Sequence, residues 1–349
     1  PVIAESIALP GMKTLVSVDN YQASHALGRW AGDYARNYFD GRAAVLDLTY
    51  HLENTRVRSR GFIDGLMEIL PESDKILSIN AQSIQSTAYQ LAKDALEVYS
   101  EINIIFAIND ATATGAIQAC HDLGIDRDSL AVLTFGMEGD TLKNALFAGE
   151  YCKAGVAMFP EIVGPVCVEA AIHAFSEHPM PMHLATPFTI LTSETLPDIY
   201  RFSESGWSIR WDTVKKNLEI PYAITPPARH SSAMLPERIG FVVPFIEHEW
   251  YQNLIAAMQA YVNGAGIIME VVDVDQHLKD EVTIKKRGIA EMAAGQVQAE
   301  DVLLISSGQT LNYLAEELLG KENITVITNS MSVFDVLRDS PGITLISTG

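Results

Sequence analysis

Residues 104–116 decide the fold; they read Ile-Ile-Phe-Ala-Ile-Asn-Asp-Ala-Thr-Ala-Thr-Gly-Ala. The pattern predicts a buried strand that ends at two polar residues, followed by a helix that begins on small residues. Asp110 is placed to cap this helix, because its carboxylate can accept N–H groups of the first turn. Asn109 is then expected at the carboxyl end of the strand, where open parallel α/β sheets bind their ligands. The alternative is a plain connection between strand and helix that binds nothing.

The surrounding segments alternate between predicted strands and predicted helices. Strands are expected at 1–7, 15–18, 43–48, 75–79, 103–107, 130–135 and 153–158, with an extended segment at 186–194. Helices are expected at 21–39, 55–70, 84–99, 110–123, 140–148 and 161–176. This alternation is typical of βαβ units around a parallel sheet. It predicts a first α/β lobe over residues 1–196.

Residues 197–236 interrupt the alternation. Five prolines and two tryptophans lie in this stretch, which we interpret as a linker or wrapping arm. The alternation resumes at 237–349, with strands expected at 238–244, 267–272, 302–306, 324–328 and 343–347 and helices at 248–263, 279–296, 310–319 and 331–338. A second α/β lobe is therefore predicted there.

Composition limits the classes of function. The 349 residues are 48% hydrophobic and 19% charged, and the formal net charge is −20. A field of this sign repels phosphate backbones, so contact with DNA is expected only through a region outside this chain. No apolar stretch is long enough for a membrane segment. Three cysteines without CxxC spacing favour buried free thiols, and hence a reducing compartment.

Five short motifs, in order, resemble those of the type I periplasmic sugar-binding proteins and the related lac-repressor-type effector domains. They are Asp19-Asn20, Arg56-Val57-Arg58-Ser59-Arg60-Gly61-Phe62, Ala107-Ile108-Asn109-Asp110, Val132-Leu133-Thr134-Phe135-Gly136 and Val156-Ala157-Met158-Phe159-Pro160. The resemblance covers residues 1–195, as a second lobe, and residues 238–272, as the beginning of a first lobe. It implies an α/β fold of two lobes with parallel, doubly wound sheets. Either the lobes occur in swapped order or the chain holds parts of two modules.

The chain departs from this family at two positions. Gly136 stands where sugar binders usually have an acidic residue, and Met158 stands where they usually have Gln. Glu138 or Asp140 could take over the acidic role. Otherwise the ligand would be less polar than a pentose or hexose, or would be held differently.

Residues 280–349 resemble a second family, the sensor domains of DeoR-type regulators, which sense sugar phosphates. The similarity lies in Lys286-Arg287-Gly288, Ser306-Ser307-Gly308-Gln309-Thr310 and Thr328-Asn329-Ser330. Ser306 replaces the usual acidic residue of that family, and Gln309 replaces a Thr.

The candidate ligand contacts follow from these motifs and from side-chain chemistry. Guanidinium and amide groups suit sugar hydroxyls, and aromatic rings stack on sugar rings. Small residues before a helix can cradle an anion or a hydroxyl. The predicted ligand-binding residues are Asp19, Arg56, Asn109, His248, Trp250, Tyr251, Ser307 and Gln309.

Neither a metal site nor a cofactor motif nor a catalytic motif is recognisable, so an enzyme is not expected. We expect a binding protein for a small sugar-like metabolite, whose lobes close on the ligand, as the effector-sensing part of a bacterial, cytoplasmic transcription regulator. The alternatives are a periplasmic or extracellular solute-binding protein of a sugar transporter and, less favoured, an enzyme related to sugar-phosphate isomerases. A homodimer is left open.

Overall fold

A computed structural model describes residues 1–204, 206–220, 235–244, 246–306 and 308–347. The chain divides into two units. The first comprises Pro1–Phe241 and Ile246–Glu270, and the second comprises Val242–Phe245 and Val271–Gly349. Each unit is described below by itself.

The first unit alternates strands and helices much as the sequence predicts. Its elements are β1 (Ile3–Glu5), β2 (Thr14–Ser17), α1 (Asn20–Tyr38), β3 (Ala44–Thr49), α2 (Glu53–Ile69), β4 (Asp74–Asn80), α3 (Gln85–Val98), β5 (Ile104–Ala107), α4 (Asp110–Asp122), β6 (Ala131–Phe135), α5 (Asp140–Phe147), β7 (Cys152–Ala157), α6 (Pro160–Phe175), β8 (His183–Ala185), β9 (Thr189–Thr192), α7 (Leu196–Ile199), β10 (Tyr200–Ser203), β11 (Gly206–Ile209) and α8 (Trp211–Asn217).

The main sheet of this unit has six strands in the order β4-β3-β5-β6-β7-β9. All neighbours are parallel except β7 and β9, which pair antiparallel. Strand β5 is buried on both faces: Ile104 and Phe106 pack with α1 and α2, whereas Ile105 and Ala107 pack with α3 and α4. A strand that is buried on both faces needs apolar side chains at every position. This explains why residues 104–108 are all apolar and do not alternate between apolar and polar. The predicted parallel, doubly wound α/β fold is confirmed here.

Two features of the first unit were not predicted. Strands β1, β2 and β8 form a separate parallel sheet, and β10 pairs with β11 as an antiparallel hairpin. Within the stretch predicted to be a linker, the described residues pack on the unit: Tyr200 is 1% exposed, and the Trp207 indole N–H donates to Asn144 Oδ1 at 2.8 Å. Burial of apolar and aromatic side chains such as Tyr200 stabilises this part of the predicted linker against the first unit.

The second lobe is predicted to begin at residue 237, whereas the first unit of the structure also includes residues up to Phe241 and Ile246–Glu270. The strand β12 (Arg238–Val243), the helix α9 (Glu249–Ala265) and the strand β13 (Ile268–Asp273) follow the linker, and β12 pairs with β13. Helix α9 belongs to the first unit because its apolar face packs on α6. Gly164 of α6 makes this close approach possible, since a Cβ there would lie 3.0 Å from the Cβ of Ala257.

The second unit contains α10 (Val274–Gln296), β14 (Val302–Ile305), α11 (Gln309–Glu317), β15 (Ile324–Thr328), α12 (Met331–Leu337) and β16 (Ile343–Ser347). Its three strands form a parallel sheet in chain order. The core includes Ile305, Ala315, Val326 and Val333. None of the helices in the described parts of the whole chain combines the length and apolar character that crossing a membrane requires.

Candidate functional site

The connection between β5 and α4 presents Asn109 at the carboxyl end of the sheet. Asn109 caps α4: its Oδ1 accepts from the backbone N–H of Thr112 at 2.9 Å, while its own N–H donates to Thr112 Oγ1 at 3.2 Å. The predicted cap, Asp110, is instead the first residue of the helix. The extended backbone of Asn109 suits the cap position, which leaves the Asp110 carboxylate available for other donors.

Asp110 fixes the loop that follows β6. Its Oδ2 accepts from the backbone N–H groups of Glu138 and Gly139, each at 3.0 Å. Gly136 in this loop has φ +139°, and a Cβ at this residue would lie 2.2 Å from Asp110 Oδ1. The family's usual acidic residue at this position is therefore sterically incompatible with the observed position of Asp110.

Glu138 supplies a carboxyl group two residues later. It is 8% exposed, and its Oε2 accepts from the N–H of Met137 at 3.0 Å. Burial, and then the nearby Asp110 carboxylate, raise the pKa of Glu138 well above its ordinary value, and the two side chains are hydrogen-bonded to each other. Asp140, the other residue considered for the acidic role, is exposed at the start of α5, next to Gly206.

Lys143 holds this loop from the side of α5. The side chain is almost completely buried, and Nζ donates to the backbone carbonyl of Glu138 at 2.6 Å. Nζ also lies 4.5 Å from the centre of the Tyr200 ring. The hairpin β10–β11 therefore contributes to the environment of the site through Tyr200.

Arg58, and not the predicted Arg56, points to the carboxyl end of the sheet. Its Nε donates to Asn20 Oδ1 at 2.7 Å, one guanidinium N–H donates to the carbonyl of Ile108 at 2.9 Å, and the group lies 4.0 Å from the centre of the Phe135 ring. Burial lowers the pKa of Arg58 to about 10, whereas the carboxyl groups nearby favour its charged form. Arg58 is consequently still a cation at neutral pH.

Arg56 lies on a different face of α2 from Arg58. Its side chain is 66% exposed and pairs with Glu53 at 3.3 Å. Two residues along a helix turn the side chain by about 200°, so Arg56 and Arg58 lie on opposite sides of α2. Arg58 is in phase with the buried Phe62 and Leu66, four and eight residues on, and this spacing could have identified it from the sequence.

The beginning of α9 faces Asn109. His248 caps α9, because its Nδ1 accepts from the N–H of Trp250 at 3.2 Å. Its Nε2 lies 3.5 Å from Asn109 Nδ2. Burial lowers the pKa of His248, so the imidazole is neutral at physiological pH. The Tyr251 ring lies edge-on to this imidazole at 5.9 Å between centres.

Further polar contacts join α9 to the rest of the first unit. The Trp250 indole donates to the carboxylate of Glu5, whose pKa burial raises to about 7. Asn253 Nδ2 donates to the carbonyl of Glu138 at 3.4 Å, and the Glu249 carboxylate lies directly against Gly139. Glu5 could not be identified from the sequence as a residue of this site, because the three residues of β1 are too few for an informative pattern.

The remaining predicted residues lie elsewhere. Asp19 is exposed and caps α1 by accepting from the N–H of Gln22 at 3.0 Å, whereas its neighbour Asn20 holds Arg58. Gln309 belongs to the second unit, where Lys286 Nζ donates to its Oε1 at 2.7 Å. Ser307 lies outside the described residues.

Together these contacts place Asn109, His248, Trp250 and Tyr251 in one region with Arg58, Asp110 and Glu138. Carboxyl groups outnumber cationic groups there, because Glu5, Asp110, Glu138 and Glu249 surround Arg58 and Lys143. In the described parts of the chain, no group of three or more His, Cys, Asp or Glu side chains could hold a metal ion. The region offers hydrogen-bond donors, acceptors and aromatic rings.

Comparisons with known families match the two halves of the chain separately. Residues 10–177 match the family described as periplasmic binding protein domain, and residues 281–349 match the DeoR C-terminal sensor domain. The chain is 26% identical over 161 residues to the ribose import binding protein RbsB of Bacillus subtilis, which covers 46% of this chain and 49% of that protein. It is 34% identical over 65 residues to the uncharacterized HTH-type transcriptional regulator YgbI of Escherichia coli, covering 19% and 26%.

The chain thus spans about half the length of the ribose-binding relative and about a quarter of the regulator. Among solved structures, a carbohydrate transporter solute-binding protein from Agrobacterium radiobacter in complex with D-arabinose is similar, with a TM-score of 0.52 and 18% identity over 57% of this chain and 68% of that chain. These likenesses confirm the predicted fold: the chain has the α/β fold of the type I periplasmic binding proteins.

Proposed function

We propose that the first unit reversibly binds a neutral sugar at the carboxyl ends of β5 and β6. One observation carries this proposal: Arg58, Asn109 and His248 come from three different helices or their caps and meet at this edge of the sheet. Arg58 contacts the carbonyl of Ile108, and Asn109 lies 3.5 Å from His248. A site assembled from distant parts of the chain is typical of ligand binding at this edge of α/β sheets.

The chemistry of the residues suits a sugar. The Asn109 amide and the His248 imidazole can exchange hydrogen bonds with hydroxyl groups, and the guanidinium of Arg58 offers a fork of donors. Trp250 and Tyr251 supply aromatic surface of the kind that packs on the apolar face of a sugar ring. Sugar ligands named for similar proteins, ribose and D-arabinose, support this class of ligand.

The charges favour a neutral ligand over a sugar phosphate in the first unit. Asp110 and, above its pKa of about 7, Glu5 place negative charge near the guanidinium of Arg58, and Lys143 is buried against Tyr200. A phosphate group would meet like charges in a partly desolvated site, which disfavours binding. Among the residues that the structure describes at this site, the side chains suit hydrogen bonding and stacking, and we propose a binding protein without a cofactor rather than an enzyme.

We further propose that sugar binding serves transcription regulation in the cytoplasm. The DeoR-type sensor match at residues 281–349 and the similarity to an HTH-type regulator support this role. Given the net charge of −20, contact with DNA would use a part of the protein other than residues 1–349. Assembly as a homodimer belongs to the same proposal.

A second candidate is the solute-binding component of a sugar uptake system outside the cytoplasm. Similarity to the ribose import binding protein favours it. Electrophoretic mobility shifts with the full-length protein separate the two roles: a sugar-dependent change in DNA binding supports the regulator, and export of the full-length protein from the cytoplasm supports uptake.

A thermal-shift screen tests the binding function itself. A ligand that binds only the native state raises the melting temperature, and the shift grows with the logarithm of the ligand concentration once this exceeds the dissociation constant. Neutral pentoses and hexoses are expected to raise it, and the same sugar concentrations should raise the melting temperature of Arg58→Ala by less. Absence of any shift with neutral sugars would contradict the proposal.

A further inference from the structure

Two carboxyl groups face each other beneath Gly136. Asp110 Oδ2 accepts two backbone N–H groups, but Asp110 Oδ1 is buried and accepts from no N–H or hydroxyl of the described residues. Glu138 Oε2 lies beside it, because a Cβ on Gly136 would lie 2.2 Å from Asp110 Oδ1 and 2.9 Å from Glu138 Oε2. Ionised carboxylates only accept hydrogen bonds, so this contact requires a proton on one of them.

The oxygens of Glu138 also contact the backbone. Its Oε2 accepts from the N–H of Met137, and its Oε1 lies 3.4 Å from the N–H of Met158. Asp110 Oδ2 is occupied by two backbone N–H donors, so the oxygen that faces Glu138 as an acceptor is Oδ1. Glu138 is therefore the partner that carries the proton and donates it to Asp110 Oδ1.

Charged groups around the pair do not neutralise it directly. Lys143 Nζ is the nearest cation from α5, but it bonds the backbone carbonyl of Glu138. Arg58 of α2 is held by Asn20 and by the carbonyl of Ile108. The other titratable groups that act on the region are Glu5 of β1, Asp140 of α5, Glu161 of α6, Tyr200 of β10, and His248, Glu249 and Tyr251 of α9.

We propose that Asp110 and Glu138 hold one proton between them and act as a single anion that positions Asn109 and the loop 136–139 for the sugar. This inference rests on the proposed function of the site. Asp110 directly follows Asn109, and its other oxygen holds the backbone of Glu138 and Gly139. Loss of the shared proton would place two like charges within a buried contact, and their repulsion would separate the loop from the beginning of α4.

Gly136 has no side chain that could contact the ligand, and the pair is proposed to support the site indirectly. Its carboxyl groups bind each other and the backbone, and they act on the ligand through Asn109. Sugar affinity is consequently expected to fall as pH rises through the pKa of the pair, by about tenfold per pH unit once the proton must be recovered on binding.

Carboxyl carbon NMR on protein labelled at Glu Cδ tests the shared proton without any ligand. At pH 8, one glutamate resonance should keep the chemical shift of a protonated acid, and it should disappear in Glu138→Gln. The control Glu101→Gln, which removes an exposed carboxyl before β5, should keep it. If Glu138→Gln does not fold, Asp110→Asn gives a second test: it removes the like charge and supplies an amide donor, so the protonated glutamate resonance should titrate at lower pH than in the wild type. A wild-type spectrum in which every glutamate is ionised at pH 8 would overturn the proposal.

The positioning role is tested by affinity for D-arabinose and D-ribose between pH 6 and 10. Wild-type affinity should fall with pH. Glu138→Gln, whose amide can donate to Asp110 but cannot ionise, should remove the part of this fall that comes from the pair and leave only the changes due to titration of Glu5 and Arg58. An identical pH profile in both proteins would overturn the positioning role. If neither sugar binds the wild type at any pH, the proposed function fails, whereas the NMR result on the shared proton stands separately.

Discussion

Gly136 and Asp110 are fitted to each other: a Cβ on Gly136 would lie 2.2 Å from Asp110 Oδ1, at a backbone φ of +139°. Residues other than glycine rarely adopt this φ. The Asp110 carboxylate, which would have to move, is held by two backbone N–H groups. The glycine therefore determines how closely the loop after β6 approaches the beginning of α4.

Replacing this glycine should be costly. Gly136→Ala is expected to lower the free energy of unfolding by more than about 1 kcal/mol, because both the backbone conformation and the space are unsuitable. Urea denaturation measures the change. The control Gly240→Ala, where a Cβ would meet no atom within 4 Å, should have little effect. Equal stability of the two variants would contradict the fit between Gly136 and Asp110.

Arg58 and Arg56 should behave oppositely when removed. Arg58→Ala leaves Asn20 Oδ1 and the Ile108 carbonyl without their donor, at a cost of about 1–3 kcal/mol for each buried group. It should also weaken sugar binding at least about tenfold, the equivalent of one charge-assisted hydrogen bond. Arg56→Ala, at an exposed position, should change neither. Calorimetric titration of both variants decides whether the guanidinium at the site is that of Arg58.

Asn109 has two roles that substitutions can separate. Asn109→Ala removes the helix cap and should cost about 1 kcal/mol of stability. Asn109→Ser keeps a capping oxygen but loses the amide that faces His248. We expect Ser to restore stability and not sugar affinity. Restoration of affinity by Ser would show that Asn109 acts only as a cap.

Lys143 should be important for the loop although it is remote from the predicted motifs. Lys143→Met keeps the length of the side chain but removes the donor to the Glu138 carbonyl, and should lower the free energy of unfolding by about 1.5–3 kcal/mol. Lys215→Met, on α8, serves as the control because Lys215 lies near the Trp211 ring without such a bond to the loop. A Lys143→Met protein as stable as this control would show that the buried ammonium contributes nothing net.

The fold could be predicted because the sheet is buried on both faces. Strands such as β5 then appear as short apolar runs and the helices as periodic patterns, so order and type follow from the sequence. Packing between distant segments could not be predicted in this way. Helix α9 joins α6 through Gly164, and this depends on shape complementarity that no local pattern contains.

The site was predictable only in part, for related reasons. Asn109 follows a strand that is easily recognised, and the chemistry of its amide is visible in the sequence. To identify Arg58 from the sequence, the helical phase has to be considered as well as the motif, since three arginines lie within five residues. The pairing of Asp110 with Glu138 depends on the backbone of Gly136, whose φ the sequence permits but does not specify.

Calorimetric titration of the purified chain with D-arabinose, D-ribose and D-allose, beside the Arg58→Ala variant, tests the binding site most directly. We predict saturable one-to-one binding of at least one of these neutral sugars to the wild type, weakened at least about tenfold in Arg58→Ala. Failure of all three sugars to bind, or equal affinity in the variant, would contradict a sugar site at Arg58, Asn109 and His248.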